Sequence, residues 1–554
     1  MRYNVDMKAT IKPQKNYITM ENGFQLVMAL NCGVKIPEDD PVRLLNAVME
    51  RMDYRRIKAA YSREGRNEYP PKILTKILVY GYMRMRISSR QIEAACRENV
   101  KFMYLLEGQR VPDHNTIARF RSGVLASEAG QDLLRQLVVM LEESGLLSMA
   151  AAFIDGTKLE ANANRYTFVW RKGTEKKVTK IQAAIHEKLP KQLKELGIRF
   201  YVPEKMEIRH LKKLRRKLYA KIRETKVELV HGKGKRKKPI QRVLEQVEMW
   251  LEKLKQYTQE LHICGDRNSY SKTDHDATFM RMKEDHMRNG QLKPGYNVNT
   301  ATCNEFIIGN YISSDRNDVH TLIPFMTQLQ STYEGINIGK VVVDSGYESE
   351  ENYCWFEDEA RPELIVKPSN HEQKKKKKYR TDISRRENME YDAQSNTYTC
   401  ANGKKLKETY QKHSKSASGF DITTSVYECD GCDNCPMKEK CIRACGSKKP
   451  LSERHKKLYV SRRFQQQREA MEAKITSPEG KLLRVNRSIQ AEGTFAYIKE
   501  DLSFRQFLLR GKAKVEAEWL LFSLALNLLK LHHKIQNDRL GTGLMIPSNC
   551  TAGL

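Results

Sequence analysis

One short apolar segment constrains the fold most, because it has the pattern of a buried β-strand separated from every other strand signal. The segment runs from Met149 to Ile154, and Asp155-Gly156-Thr157 follows it. A polar residue and a glycine turn at this position predict that the strand ends there. Further strand signals begin only at Tyr296, after a long charged stretch with helical periodicity. A sheet that contains the first strand must therefore accommodate a large insertion.

The later strand signals follow one another closely and predict the remainder of the sheet. Tyr296 to Cys303 and Phe306 to Ile312 flank Asn304-Glu305, which is a hairpin pattern, and a helix is expected near Asn317 to Tyr333. Val341 to Val343 and Glu363 to Lys367 are short runs rich in β-branched residues, typical of strands buried on both faces. These patterns predict an α/β core with a mixed sheet.

The first 147 residues have helical periodicity and predict a compact helical domain that binds DNA. Within it, Ser88 to Ala95 and Val111 to Arg121 fit a helix-turn-helix pair. The second helix would then present Asn115, Arg119 and Arg121 to a DNA groove. Two ordinary helices in a small bundle are the alternative interpretation.

Positive charge is concentrated in one part of the chain. The 554 residues include 98 Lys and Arg against 68 Asp and Glu, a formal net charge of +30. Residues 161–260 hold 28 basic and 11 acidic side chains, a local surplus of +17. Two apolar patterns at helical spacing around His231 to Pro239 predict a helical hairpin with a basic tip. Such a composition favours phosphate contacts with nucleic acid, and a solvated charged arm is the alternative.

The sequence predicts a cytoplasmic protein with no membrane partner. Its longest strongly apolar stretch, Trp519 to Leu529, is shorter than the roughly 20 residues that cross a bilayer, and it predicts a buried helix. Residues Met1 to Lys15 lack the apolar core of a secretory signal. With DNA as the expected partner, we predict association with the nucleoid.

Two aspartates, Asp155 and Asp344, each follow an apolar strand and precede a small residue or glycine. On neighbouring strands their carboxylates would meet, and an oxygen-only site of this kind suits Mg²⁺ or Mn²⁺. With a third acid, the site could hold two ions that activate the attacking oxygen and stabilise the leaving oxygen of a phosphodiester. The alternative for each residue alone is a strand-end or turn position.

The third acid is expected in the C-terminal part of the chain. Glu492 and Lys499 are seven residues apart, so on a regular α-helix they would share one face, the acid binding metal and the lysine a DNA phosphate. An exposed charged pair is the alternative, and Glu500 is the substitute acid.

Five segments together resemble the DDE transposases of bacterial insertion sequences, specifically the family numbered 1182. They are Phe153–Asn164, Pro294–Val298, Asp344–Tyr347, Gln490–Phe495 and Phe507–Lys512. The resemblance implies a ribonuclease-H-like catalytic domain, recognition of terminal inverted repeats, and an acid triad that carries over to Asp155, Asp344 and Glu492. Related elements often have Tyr-x₂-Arg-x₃-Glu-x₆-Lys around the third acid. Here Val485 and Ser488 occupy the Tyr and Arg positions, so Arg487 or Arg484 would have to supply the cation.

A cysteine cluster between residues 400 and 445 predicts a metal site. Its six members are Cys400, Cys429, Cys432, Cys435, Cys441 and Cys445. Tetrahedral zinc takes four thiolates at such short spacings, and a closed Cys₄ site is structural. Resemblance to the knuckle of the transposase family favours Cys400, Cys432, Cys435 and Cys441, with Cys429 and Cys445 as alternates. A redox role or free thiols are the other possibilities.

Aromatic residues alternate with other residue types after the first strand, between Tyr166 and Trp170, and Arg171 and Lys172 follow. Bases extruded near a cut could stack on such rings, Trp170 in particular. A core strand or a hinge that leads into the basic insertion is the alternative.

These patterns divide the chain into six parts. They are a helical DNA-binding domain (1–147), the first catalytic strand (148–164), a basic helical insertion (165–270), the ribonuclease-H-like core (271–369), a cysteine-rich insertion that binds zinc (370–475), and the catalytic Glu helix with C-terminal helices (476–554). The expected function is metal-dependent cleavage and strand transfer on double-stranded DNA, element ends and target alike, by a homodimer. A nuclease without strand transfer and a non-catalytic zinc-containing DNA-binding regulator are the alternatives.

Overall fold

Several α-helices precede the first strand in the computed structural model, which describes residues 35–61, 69–230, 236–282, 290–442 and 449–541. The strands of these ranges are β1 (Ala151–Glu160), β2 (Phe168–Trp170), β3 (Ser269–Ser271), β4 (Thr278–Arg281), β5 (Leu292–Cys303), β6 (Phe306–Ser313), β7 (Lys340–Val343), β8 (Glu363–Val366), β9 (Glu390–Asp392), β10 (Thr397–Thr399), β11 (Lys405–Lys415), β12 (Asp421–Cys429) and β13 (Lys457–Val460). The α-helices are α1 (Pro41–Glu50), α2 (Arg55–Ala59), α3 (Pro71–Met83), α4 (Ser89–Glu98), α5 (Val100–Leu106), α6 (His114–Arg119), α7 (Glu128–Glu143), α8 (Arg171–Glu195), α9 (Ile208–Glu224), α10 (Pro239–Cys264), α11 (Leu322–Thr332), α12 (Glu350–Phe356), α13 (His371–Lys374), α14 (Lys377–Arg380), α15 (Lys438–Cys441), α16 (Arg462–Thr476), α17 (Pro478–Arg487), α18 (Gly493–Ala496) and α19 (Lys512–Gln536).

The central sheet is mixed, with the order β4-β5-β1-β7-β8, and β6 also pairs with β5. Strands β5 and β6 form the predicted hairpin, and its two turn residues, Asn304 and Glu305, both have positive φ. Two residues with positive φ suit the tight turn that matches strand twist. Strand β1 is antiparallel to β5 but parallel to β7, and β7 is parallel to β8. Helix α11 precedes β7 and α12 precedes β8, which supplies the connections that parallel neighbours need.

Strand β1 is longer than its sequence pattern predicts. The sequence pattern predicts that β1 ends at Ile154, but the strand continues to Glu160 because β5 pairs with it up to Glu160↔Gly295. Its pairing with β7 ends earlier, at Ile154↔Val343. Asp155 therefore lies within β1, at the point where the strand extends past its parallel neighbour.

Helix α19 is buried along its middle and packs against α3, α7 and β6. This confirms the buried helix predicted from its apolar stretch. The polar residue in that stretch, Asn527, has a structural role: its amide Oδ1 accepts a hydrogen bond from Ile307 N, and its Nδ2 donates to Ile307 O. Trp519 Nε1 similarly donates to Asn310 Oδ1 of β6 at 3.0 Å. The helix thereby joins the N-terminal helices to the sheet.

The described residues of the basic insertion, 165–230 and 236–270, form three helices, α8, α9 and α10, where the sequence pattern predicts two. They share an apolar cluster of their own, which includes Leu189, Leu218 and Trp250. The insertion leaves and re-enters the fold at one place, since Trp170 of β2 pairs with Ser269 of β3.

The cysteine-rich insertion is built on an antiparallel sheet of five strands in the order β13-β12-β11-β10-β9. A small apolar cluster that includes Tyr398, Leu406 and Tyr427 supports it. The sequence pattern predicts an insertion here but does not predict the sheet. No helix in the described ranges is long and apolar enough to span a membrane.

Candidate active site

Asp155 and Asp344 occupy matching positions on neighbouring parallel strands. Each is the next residue after the pair Ile154↔Val343, with which the β1–β7 pairing ends. Neighbouring strands lie about 4.8 Å apart, so the two aspartates stand side by side at the carboxyl end of β7. Asp155 is buried and Asp344 is half-buried. The structure thus brings together the first two acids that the sequence predicts.

Glu492 lies across the same region of the sheet. It ends a π-helical turn, Ser488–Glu492, that contacts β1 and β5. Arg487 joins it to the first aspartate: the guanidinium Nη2 is 2.5 Å from Glu492 Oε1, and Nη1 is 3.9 Å from Asp155 Oδ1. Glu492 is 52% exposed, whereas Arg487 is only 13% exposed. The third predicted acid is therefore linked to the site through a largely buried cation.

Lys499 does not share a face with Glu492, and the prediction that it does is wrong. Its side chain is buried, at 7% exposure, whereas Glu492 is exposed. The segment between them is not a regular α-helix, because π-helical turns cover Ser488–Glu492 and Tyr497–Asp501. A π turn takes more residues than an α turn and changes the helical phase, so a spacing of seven no longer returns to the same face.

Asp318 is a fourth carboxylate beside the site, which the sequence analysis missed. Asn297 Nδ2 donates to its Oδ1 at 2.6 Å. A Cβ added to Gly156 would lie 2.8 Å from Tyr347 Oη and 3.2 Å from Asp318 Oδ1, so glycine at this position permits the close approach. Asp318 opens a 3₁₀ turn several residues after β6 ends at Ser313, so the pattern that marks Asp155 and Asp344, an acid directly after an apolar strand, does not reach it.

The phenol of the buried Tyr347 interacts electrostatically with Asp318, Asp155 and Asp344. Burial raises the pKa of its phenol well above the ordinary value, and the negative charges of Asp318, Asp155 and Asp344 raise that pKa further. The phenol donates a hydrogen bond to Asn299 Oδ1 at 2.6 Å. Tyr347 therefore remains neutral and anchors the glycine turn after Asp344.

The chemistry of the acids suits a hard divalent cation, since carboxylate oxygens are the donors that Mg²⁺ and Mn²⁺ prefer. Arg487 lies between two of these acids here. Across the ranges that the structure describes, no group of three or more His, Cys, Asp or Glu side chains is arranged to hold a metal ion.

The cysteines of the second insertion lie near one another. The pKa of the Cys441 thiol is raised by burial and by the nearby Cys400, Cys432 and Cys435. Burial raises the pKa of the Cys429 thiol to about 12, and Cys432 and Cys400 add to that shift. Cys445 lies outside the described residues. Cys441 thus interacts electrostatically with the other three favoured thiols, but among the described residues no group of three or more cysteines is arranged to hold a metal ion.

The helix-turn-helix prediction is corrected by the structure. Helix α5 lies in sequence between α4 and α6, so the short turn of that motif is absent. Asn115 and Arg119 are exposed on α6, but Arg121 is buried, and its Nη1 donates to Tyr82 Oη at 3.3 Å. Arg121 consequently stabilises the helical bundle and cannot reach DNA from this position.

Trp170 is half-buried at the entrance to the basic insertion. Its ring centroid lies 5.9 Å from that of Phe168 and 6.1 Å from that of Phe279. Phe168 is 42% exposed and Tyr166 is 79% exposed. The exposed rings of this segment are therefore those of Tyr166 and Phe168, and Trp170 packs behind them.

Comparison with protein families gives two matches. Residues 399–532 match the family described as Transposase DDE domain, and residues 30–123 match the family described as Transposase domain (DUF772). The mixed sheet flanked by helices is compatible with the core of a DDE transposase. Both matches support an insertion-sequence transposase, which is an enzyme that cleaves nucleic acid.

The matched segments cover less than half of the chain. Glu492 and the described cysteines of the cluster lie inside the first, whereas Asp155 and Asp344 lie outside both. No curated protein matches the chain, and no solved structure matches it either.

Proposed function

We propose that this chain is a DDE transposase, related to the insertion-sequence family numbered 1182, that cuts and joins DNA with Asp155, Asp344 and Glu492. The observation that carries the proposal is the position of the two aspartates side by side at the end of the β1–β7 pairing, with Glu492 joined to Asp155 through Arg487. The strand order β5-β1-β7-β8, with one antiparallel and two parallel pairings, supports a ribonuclease-H-like core.

The proposed reaction has two displacements at phosphorus. In the first, a water oxygen forms a bond to a phosphorus at the element's end, the bond from that phosphorus to the 3′ oxygen breaks, and the 3′-hydroxyl is released. In the second, this hydroxyl attacks a target phosphodiester, one P–O bond replaces another, and no external energy source is needed. Bound Mg²⁺ or Mn²⁺, two ions in the proposal, would activate the attacking oxygen and stabilise the leaving oxygen.

The residues of the chain have distinct parts in this proposal. Asp155, Asp344 and Glu492 would hold the metal ions, and Arg487 would balance the charge of the acids before metal binds. Tyr347 and Asn299 fix the turn that follows Asp344. Basic residues of the first insertion would bind DNA along its backbone, and Asn115 and Arg119 would contribute from the N-terminal domain.

The proposed function also implies a substrate, an oligomeric state and a location in the cell. Double-stranded DNA with terminal inverted repeats is the proposed substrate, and target DNA is the acceptor. We propose a homodimer in the DNA complex, because two element ends must be processed together, and association with the nucleoid in the cytoplasm. Cys400, Cys432, Cys435 and Cys441 would hold a structural Zn²⁺ that stabilises the five-stranded sheet.

The decisive experiment incubates the protein with labelled DNA that carries the element's ends, a target plasmid and Mg²⁺. Joined products are expected from the wild type, and Asp155→Asn, Asp344→Asn and Glu492→Gln should each abolish cleavage and joining. Glu500→Gln is the matched control, because Glu500 lies on the same segment and pairs with Arg505 at 3.0 Å. Cleavage without joining would indicate a nuclease, and full activity in the aspartate variants would reject an enzyme that uses these acids.

A further inference from the structure

A cleft lined by cations opens directly beside Asp344. Its volume is about 390 Å³, within the range of sites that hold small ligands. We call it the basic cleft, and its polar lining consists of Asp344, Lys367, Lys481, Arg484, Arg487 and Ser488. Four cations and one carboxylate give this lining a net positive charge.

The positions of the cations follow from the sheet register and from the helical repeat. Val366 of β8 pairs with Val343 of β7, so Lys367 follows β8 as Asp344 follows β7. The carboxyl ends of β7 and β8 thus carry an acid and a lysine side by side. Lys481, Arg484 and Ser488 recur at spacings of three and four along α17 and the turn after it, which places them on one face.

The lysines of the basic cleft are available for a ligand. Within the described ranges, neither Lys367 nor Lys481 has a carboxylate oxygen within ion-pair distance, although Lys367 contributes, after Lys375 and His371, to lowering the pKa of the exposed Glu372 carboxyl. Arg484 has a distant acidic neighbour, since its Nη2 is 3.9 Å from Glu372 Oε1, and Glu372 is about half exposed. Unpaired lysines in a cleft beside a catalytic acid favour an anionic ligand, and phosphate oxygens suit both Lys and Arg.

Two apolar side chains also line the basic cleft. Val485 and Ile489 are each 39% exposed and stand on the same helical segment as the cations. Exposed aliphatic groups between cations suit a polymer that presents sugars between phosphates, more than they suit a free phosphate ion. This combination favours a DNA strand as the ligand.

We propose that the basic cleft binds the phosphodiester backbone next to the bond that is cut, and that Lys367 and Lys481 thereby position that bond at Asp155 and Asp344. The proposal rests on the proposed function, because it takes DNA as the substrate. It assigns Lys367 and Lys481 as positioning residues that do not touch the reacting phosphorus.

The test measures DNA affinity at several salt concentrations with labelled duplex that carries an element end, in EDTA so that no cleavage occurs. Each lost phosphate contact reduces the slope of log K against log salt by about 0.9, so Lys367→Gln/Lys481→Gln should reduce it by about 2 and weaken binding about tenfold at moderate salt. Lys407→Gln/Lys412→Gln is the matched control, because both lysines are exposed on β11. The control should keep the wild-type slope, and thermal melting checks that each variant is folded.

Two outcomes would overturn the inference. One is a wild-type slope in Lys367→Gln/Lys481→Gln. The other is competition by inorganic phosphate at concentrations similar to those of the DNA, which would identify a site for free anions. Failure of the proposed function is distinguished by the cleavage assay and not by the salt slopes. In that case Asp155→Asn would retain cleavage, or the wild-type protein would cleave no DNA.

Discussion

At the residue scale, Arg487 accounts for how acids lie close together without mutual repulsion. The first and third proposed acids share this one guanidinium, which is largely buried. The positive charge of the guanidinium between the two carboxylates reduces their mutual electrostatic repulsion. From the sequence, Arg487 is predicted to bind DNA and to substitute for the arginine of the family motif. Its contact with Asp155 could not be predicted, because the two residues are far apart in the chain.

Glu518 leads to a prediction about pH. It is fully buried in α19, and its carboxylate accepts hydrogen bonds from Leu508 N at 3.1 Å and Leu509 N at 3.0 Å. Burial nevertheless raises its pKa from 4.5 to about 7. The folded protein then keeps a proton that the unfolded chain loses near pH 4.5. The free energy of unfolding should therefore fall, by about 3 kcal/mol, as pH rises from about 4.5 to about 7.

Denaturant titrations of the wild type and of Glu518→Gln at several pH values would check this expectation. An amide oxygen can still accept the hydrogen bonds from Leu508 and Leu509, but it does not titrate. The variant should lose less stability than the wild type between pH 4.5 and 7. Parallel pH profiles for the two proteins would contradict the prediction.

At the element scale, the π-helical turns around Glu492 decide which side chains face the site. Lys499 is buried as a result, so Lys499→Met should leave DNA affinity and its salt slope unchanged. Lys481→Met, on the neighbouring helix, should reduce the slope by about 1. Filter binding or fluorescence anisotropy over a salt series measures both. An equal reduction of the slope in the two variants would contradict the prediction.

The five-stranded sheet of the second insertion provides a test of the zinc proposal. Cys435→Ser should lower bound zinc from about one ion per chain to nearly none, because a Cys₄ site needs all four thiolates. Atomic absorption on purified protein measures the content. Cys354→Ser is the matched control, because this half-buried thiol lies on α12, outside the cysteine-rich insertion. Unchanged zinc in Cys435→Ser would rule out Cys435 as a ligand.

At the scale of the whole molecule, the basic insertion is separable from the sheet. It has its own apolar cluster, and its two ends meet where β2 pairs with β3. Replacing residues 172–267 with a short glycine-rich turn should leave a folded protein that binds DNA more weakly and with a smaller salt slope. Circular dichroism checks that the shortened protein is folded, and fluorescence anisotropy over a salt series measures its DNA affinity and salt slope.

A variant that removes cations but keeps the helices separates the effect of charge on DNA binding from the effect of deleting the insertion. Lys212→Gln/Lys213→Gln/Arg216→Gln removes three exposed cations from α9 and keeps the three-helix packing. We expect an intermediate salt slope, reduced by about 3 from the wild type. Wild-type slopes in both this variant and the deletion would show that the insertion does not bind DNA.

Part of the fold could be predicted from the sequence because the signals are local. The hairpin of β5 and β6, the strands β7 and β8, and the buried helix α19 each follow from apolar periodicity and turn residues within a few positions. Features that depend on distant partners were missed. Strand β1 extends to Glu160 only because β5 pairs with it, and α8 joins the insertion through contacts with α10.

The sequence by itself determined that an acid directly follows each of two short apolar runs, that a long basic helical segment separates them, and that cysteines cluster between the second and the third acid. Local spacing and composition specify these features. Only the tertiary structure decided that Asp155 and Asp344 stand side by side, that Arg487 links Asp155 to Glu492, and that Lys367 rather than Lys499 stands beside the acids. Sheet register and helical phase set those contacts, and both depend on pairing between residues that are far apart in the chain.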